Sequence, residues 1–176
     1  MPLLHALERL NRTQALGNDL EVMLVGVNTV PYADVAAGMG LRNVVTCQDS
    51  VPFTESLRII ASADVLVVID APSDGVSVFL PSKLVDYLMV DKPILGITPL
   101  QGSSADLLRR ADCAVVAPDD IPGITEAVSG LLQRWRLGTL ATSLAFRTVA
   151  REYEINLTTS ALDSALRQIS AGTDFS

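Results

Sequence analysis

The chain has 176 residues, 49% hydrophobic and 19% charged, with a formal net charge of −7 and a mean hydropathy of +0.37. That length suits one domain with a sizeable core, and the acidic balance speaks against nucleic acid as a partner, because a phosphate backbone is met by a basic patch. No apolar run approaches the ~20 residues needed to span a bilayer; the strongest, Val65–Ile69, stops at Asp70.

From the amino terminus, Met1-Pro2-Leu3-Leu4-His5 leads directly into an amphipathic pattern and does not resemble a signal peptide. Pro2 to Asn11 reads as a helix with Leu3, Leu4, Leu7 and Leu10 on one face. Glu21–Val27 is a strand ending at Gly26, Pro31–Met39 a helix closed by Gly40, and Val44–Cys47 a short strand. The spacing predicts a helix over Phe53–Ser62, with Leu57, Ile60 and Ala61 pointing inward, then the strand Val65–Ile69. Ser82–Met89 is a helix and Pro93–Thr98 a strand. Ser103 is expected to cap a helix through Arg110, and Ala114–Ala117 is a strand. Ile121–Trp135 is a longer helix with Ile124, Val128, Leu131 and Leu132 on one side; Leu140–Glu152 and Thr159–Ile169 are two more. One domain over residues 1–171 is expected, with Gly172–Ser176 as a loose tail.

Strands alternating with helices specify an α/β fold: a Rossmann-like parallel sheet with helices on both faces and right-handed crossovers. The high hydropathy then has two sources. Parallel strands buried on both faces read as solid apolar runs, and an exposed apolar face awaits a partner, a second copy of the chain included. Ligands of such sheets bind beyond the carboxyl ends of the strands. Those loops are Gly26–Pro31, Gln48–Pro52, Asp70–Ser82, Thr98–Ser104 and Pro118–Pro122, all rich in Gly, Pro, Ser and Asp.

Several chemistries are disfavoured. His5, the single histidine, sits on the first helix, reads as solvent-facing, and is far in sequence from any acid–serine pair, which speaks against a Ser-His-Asp hydrolase. Cys47 and Cys113 lack metal or redox spacing and read as buried, reduced thiols in predicted strands, so no metal site is expected. The glycine-rich phosphate loops of dehydrogenases and P-loop NTPases are absent. Arg109-Arg110 and Arg134/Arg136 read as solvated clusters at helix ends.

The most informative stretch is Pro81-Ser82-Lys83-Leu84-Val85-Asp86-Tyr87-Leu88, followed by Lys92-Pro93-Ile94-Leu95. A helix start offers free N–H groups and the positive end of a dipole, a natural phosphate site. Lys83 adds a cation in the first turn, and Asp86 lies one turn from Ser82 on the same face. Singly, Ser82 reads as a cap and Lys83 as an exposed helix lysine. With Pro81, Asp86 and a loop containing Asp74-Gly75, the group reads better as a place for a diphosphate and its attached sugar. Gln101-Gly102-Ser103-Ser104 is a second polar loop opening a helix, either a ligand contact or a turn and cap. Asp49–Pro52 is either a loop that reads a nucleobase edge or a plain connection.

At these residues the chain resembles the C-terminal half of the group 1, family four glycosyltransferases of GT-B architecture. The resemblance runs from Pro2-Leu3-Leu4-His5-Ala6-Leu7 through Val25-Gly26, Val51-Pro52 and Ala61-Ser62-Ala63-Asp64-Val65-Leu66 to its core at Pro81–Leu88 and Lys92–Leu95. Gly102-Ser103 and Pro118-Asp119-Asp120 extend it to about Leu132, roughly three-quarters of the chain. It implies a nucleotide-sugar donor, with the base against Asp49–Pro52, the diphosphate at Ser82, Lys83 and Leu84 N–H, and the ribose hydroxyls on Asp86. Gly26, Val51 and Ser103 are further binding candidates; no catalytic residue is assigned. The implied reaction is sugar transfer to a glycan, lipid-linked glycan or other acceptor, with retention of configuration and no cofactor or obligatory divalent metal. The implied setting is the cytoplasm, with the inner membrane reached only through the acceptor, as in polysaccharide biosynthesis.

The chain departs from the family at Asp86, where glutamate is common, at Asp91, where a glycine usually ends the helix, and at Val78, in the place of the first acid of a paired-glutamate motif. The Val78 departure bears on the contact to the donor sugar. Aspartate tolerates the left-handed conformation better than most residues. The larger departure is the family's first strand with its basic, glycine-containing loop, which has no counterpart before the helix at Pro2. In a 3-2-1-4-5-6 order that strand is central, between Glu21–Val27 and Val65–Ile69. Either those strands pair directly, or a partner or swapped strand fills the gap, or the chain is a fragment. The acceptor-binding N-terminal domain also has no counterpart, so catalysis needs another domain or chain. The rival readings are a nucleotide-sugar epimerase of the same architecture and a non-catalytic α/β binding module.

Overall fold

In a computed structural model the described residues are 1–17, 19–70, 76 and 80–154. The expected helix at Thr159–Ile169, the tail at Gly172–Ser176, Asp74-Gly75 and Val78 lie outside them. Along the described residues the order is α1 (Pro2–Thr13), β1 (Val22–Val25), α2 (Pro31–Gly38), β2 (Val45–Gln48), α3 (Phe53–Ser62), β3 (Leu66–Ile69), α4 (Ser82–Leu88), β4 (Ile94–Ile97), α5 (Ser103–Arg110), β5 (Ala114–Val116), α6 (Ile121–Arg136) and α7 (Leu144–Glu152). Two parallel sheets form, β1-β2 and β3-β4-β5, with Val22 opposite Val45, Leu66 opposite Ile94 and Leu95 opposite Ala114.

The period-2 alternation of the strands divides the interior into two cores. Leu95 and Ile97 of β4, together with Val45 of β2, pack with Leu3, Leu4 and Leu7 of α1 and with Ile124, Val128 and Leu132 of α6. This core runs under both sheets, and α1 packs closely on α6 above it. On the opposite face, Leu66, Val68 and Ile94 pack with Leu84 and Leu88 of α4, Leu107 and Leu108 of α5, and Phe146 and Val149 of α7. β4 is buried along its whole length, as a central parallel strand requires.

Local chemistry sets the helix ends. Asp120 caps α6 by accepting from Gly123 N–H at 2.9 Å. Ser143 caps α7 by accepting from Phe146 N–H at 3.1 Å, so this helix begins at Leu144 and not at Leu140. Ser103 is the first residue inside α5, and Gly102 occupies the cap position that the sequence pattern gave to Ser103. The arginines at helix ends are exposed but tied. Arg110 reaches Glu152 of α7 at 2.6 Å, Arg136 reaches Asp19 at 2.6 Å, and Arg134 donates to the Ala141 carbonyl at 3.0 Å.

Two expectations fail together. β1 and β3 do not pair with each other: β1 is bonded to β2 and β3 to β4. And α3, expected to point Leu57, Ile60 and Ala61 inward, has no buried residue; Leu57 and Ala61 are exposed and Ile60 is half-buried. α3 links β2 to β3 across the interval between the sheets, where no strand lies among the described residues.

Gly96 sits in β4 where a Cβ would overlap Leu108 Cδ1 of the fully buried Leu108. Gly96→Ala is therefore expected to cost about 1–3 kcal/mol through overpacking, read as a lower urea midpoint. A second expectation concerns alkali. Burial first, then the Asp112 charge, push the Cys113 thiol up from 9.0 to about 11, against an opposing hydrogen bond with the Ile94 backbone; burial and then Asp86 also raise Tyr87. Both groups border the core around Leu84 and Phe146. A raised folded-state pKa contributes stability that is complete below the unfolded value and lost as pH climbs to the folded one. The urea midpoint should thus fall between pH 9 and about 11, and less steeply in Cys113→Ala.

Candidate functional site

The segments that follow β1, β2, β3 and β4 each carry one of the sequence-derived candidates. Gly26 follows β1, Val51 lies between β2 and α3, Ser82 opens α4 beyond β3, and Ser103 opens α5 beyond β4.

Gly26 has φ +140°, a conformation that side chains disfavour, and it turns the chain out of the strand. Thr29 holds this turn closed: its hydroxyl donates to Gly26 O at 2.9 Å and Gln48 O at 2.6 Å, while Gly26 N–H donates to Gln48 O at 3.1 Å. The ends of β1 and β2 are therefore fixed to each other. Val51 is half-buried in the loop before α3.

α4 is short, and its start is built differently from the simple cap. Pro81 is the cap residue, in extended conformation, with no side-chain capping bond. Ser82 and Lys83 are the first two helical residues, both exposed, and their side chains have no hydrogen-bond partner among the described residues. Leu84 does otherwise. Its N–H donates to the Pro81 carbonyl at 3.0 Å and its side chain is fully buried, so it anchors the helix to the core and its N–H is already committed. Asp86 is exposed one turn after Ser82, and its charge adds to the raised pKa of the neighbouring Tyr87. Ser82, Lys83 and Asp86 are thus presented to solvent by one turn of helix held in place by Leu84 and Leu88. Gly26 and Val51 belong to the other sheet, across the interval between the two.

Asp91, after α4, has φ +48°, the left-handed conformation anticipated for it. It is held there: the Thr142 hydroxyl donates to Asp91 Oδ1, and Arg147 of α7 lies 3.9 Å from Asp91 Oδ2.

One polar residue escaped the sequence reading. Asp70 follows β3 directly; its N–H donates to Ile97 O at 3.0 Å, while its carboxylate Oδ2 is buried without a hydrogen-bond partner among the described residues. A buried carboxylate oxygen is costly unless something satisfies it. Its signal in the sequence is an acid that ends an apolar run at a strand's carboxyl end. Among the described residues no group of three or more His, Cys, Asp or Glu is arranged to hold a metal ion, and no helix is long and apolar enough to cross a membrane.

An apolar cavity lies elsewhere. About 430 Å³ opens between β1 and β3, lined mostly by apolar residues of both strands, α1, α3 and α6.

No known protein family matches the sequence, and no curated protein matches it. Solved structures do. A glycosyltransferase from Rickettsia africae aligns over 98% of this chain and 44% of its own, with 12% identity and a TM-score of 0.73. WaaG, a glycosyltransferase involved in lipopolysaccharide biosynthesis, aligns over 93% of this chain and 41% of its own, with 20% identity and a TM-score of 0.64. The chain shares the Rossmann-like α/β fold of these glycosyltransferases and spans less than half of their length.

The conformation at Asp91 gives a direct expectation. Asp91→Val should destabilise the chain by about 1–2 kcal/mol, because a β-branched residue resists positive φ. Asp91→Gly should stay within about 1 kcal/mol of the parent, relief of strain offsetting the lost tie to Thr142. Urea unfolding of the two variants distinguishes this from a purely side-chain effect, in which both would lose equally.

Proposed function

We propose that this chain is the nucleotide-diphosphate-sugar-binding part of a glycosyltransferase. The observation that carries the reading is the placement of Gly26, Val51, Ser82 and Ser103 at the carboxyl ends of parallel strands, where α/β folds take their ligands. The glycosyltransferase fold of the two solved structures supports the same assignment.

On this reading the diphosphate sits at the start of α4. The N–H groups of Ser82 and Lys83, the Ser82 hydroxyl and the Lys83 ammonium meet its oxygens, aided by the positive end of the helix. Leu84 contributes the anchor and not a donor, because its N–H is bonded to Pro81. Asp86 accepts from the ribose hydroxyls, and the loop around Val51 lies against the base. Asp70 adds a carboxylate able to accept from a hydroxyl of the ligand. As the glycosidic bond to the sugar breaks, negative charge grows on the departing diphosphate. Fixed N–H dipoles and Lys83 stabilise that charge, so the site needs no metal for this step. Retention at the sugar carbon comes from the family resemblance. The acceptor is a glycan or lipid-linked glycan, bound by a domain or chain other than the one described.

Calorimetric titration of the folded chain with UDP and GDP tests this reading. One of the two should bind, and Lys83→Ala and Asp86→Ala should each weaken it about tenfold or more, the size of a lost charge-assisted hydrogen bond. Flat titrations of a chain that circular dichroism shows to be folded, or variants that bind as tightly as the parent, would refute it.

A further inference from the structure

The loop between β2 and α3 is held at both ends. At its start, the Thr29 hydroxyl and Gly26 N–H donate to Gln48 O at 2.6 and 3.1 Å. At its end, Pro52 O accepts from Glu55 N–H and Ser56 N–H at 2.9 and 3.0 Å, and the Ser56 hydroxyl donates to Phe53 O at 2.7 Å. Two side chains stand at these ends. Asp49 opens the loop and is exposed, and its Oδ1 accepts from Ser50 N–H at 2.6 Å, which orients the carboxylate. Phe53, the first residue of α3, is 69% exposed, the most exposed aromatic side chain among the described residues. α3 meets the core through Ile60 and is followed by the half-buried Ala63, so Phe53 stands at the end of the helix away from that contact. A ring left in water there gains free energy when a flat apolar face covers it.

We propose, on the reading that the carboxyl edge holds a nucleotide diphosphate, that Phe53 and Asp49 select guanine as its base, Phe53 by stacking on the ring and Asp49 by accepting from its edge, so that the donor is a guanosine-diphosphate sugar. Stacking alone is indifferent to the base, because every base has a π face. The carboxylate discriminates. An ionised carboxylate only accepts, at about four lone-pair sites. Ser50 N–H takes one of these, and a pair of adjacent donors can take two more.

Guanine alone among the common bases offers such a pair, its N1–H beside its 2-amino group. Uracil has one donor, N3–H, flanked by two carbonyl oxygens that the carboxylate repels. Cytosine and adenine each set an amino donor beside a bare ring nitrogen, which is repelled in the same way. Arg58, the cation of α3, is held by Glu55 at 2.9 Å on its own helix. A carboxylate that accepts two bonds from one edge rejects a base able to give only one.

Calorimetric titration of the full chain with GDP, UDP and inosine diphosphate, which is GDP without the 2-amino group, tests this. GDP should bind about tenfold or more tighter than UDP, with inosine diphosphate between them. Asp49→Asn keeps an oxygen for Ser50 N–H; it should weaken GDP about tenfold and leave UDP as tight or tighter, which separates base reading from the general effect of removing a negative charge. Phe53→Ala should weaken GDP and UDP alike, about fivefold or more, and Phe53→Tyr should restore both. UDP binding as tightly as GDP, inosine diphosphate matching GDP, or an unchanged ratio of GDP to UDP affinity in Asp49→Asn would overturn the choice of guanine and leave the diphosphate site standing. Absence of binding by all three nucleotides would overturn both.

Discussion

The structure depends on a single constraint: two parallel sheets must share one core although their facing edges do not meet. Ordinarily the ladder of hydrogen bonds would carry continuity from strand to strand. Here the continuity comes from helices. α1 and α6 pack on each other and on residues of both sheets, so that Val45 of β2 and Leu95 of β4 belong to the same apolar cluster. Among the described residues the opposite face has no equivalent bridge. Its core gathers β3–β5 with α4, α5 and α7 and excludes β1. The exposure of Met23 and the absence of any buried residue in α3 are consequences of that asymmetry.

That constraint also separates the molecule's two points of interest. The carboxyl ends of the strands present short polar side chains on turns fixed by backbone bonds, as at Gly26, Thr29 and Gln48. The interval between the sheets presents apolar side chains. The first suits a small anionic ligand.

Much of the fold was legible in the sequence because alternating strands and helices leave strong local signals. The bounds of Phe53–Ser62 follow from its pattern, and the left-handed Asp91 follows from the tolerance of aspartate for that conformation. The failures share a physical cause. Leu57 and Ala61 were placed inward because helical periodicity tells which residues share a face, not whether anything lies against that face. The apolar runs of β1 and β3 read the same whether their edges are paired or open, so direct pairing was as consistent with the sequence as the interval that is found. At the candidate site, the pattern located α4 to within a residue but could not reveal that Leu84 N–H is taken by Pro81, nor that one oxygen of Asp70 is buried without a partner. Those are properties of the packed chain.

The central claim is that the carboxyl ends of the strands hold a nucleotide diphosphate. Backbone amide chemical shifts, followed by NMR as UDP or GDP is added to the labelled chain, test it at residue resolution. The account predicts saturable shifts at Ser82 and Lys83, with smaller ones at Gly26, Val51 and Ser103, and no change at Met23 and Val67. Shifts centred on the interval between the sheets, or a well-dispersed spectrum that neither nucleotide alters, would contradict it.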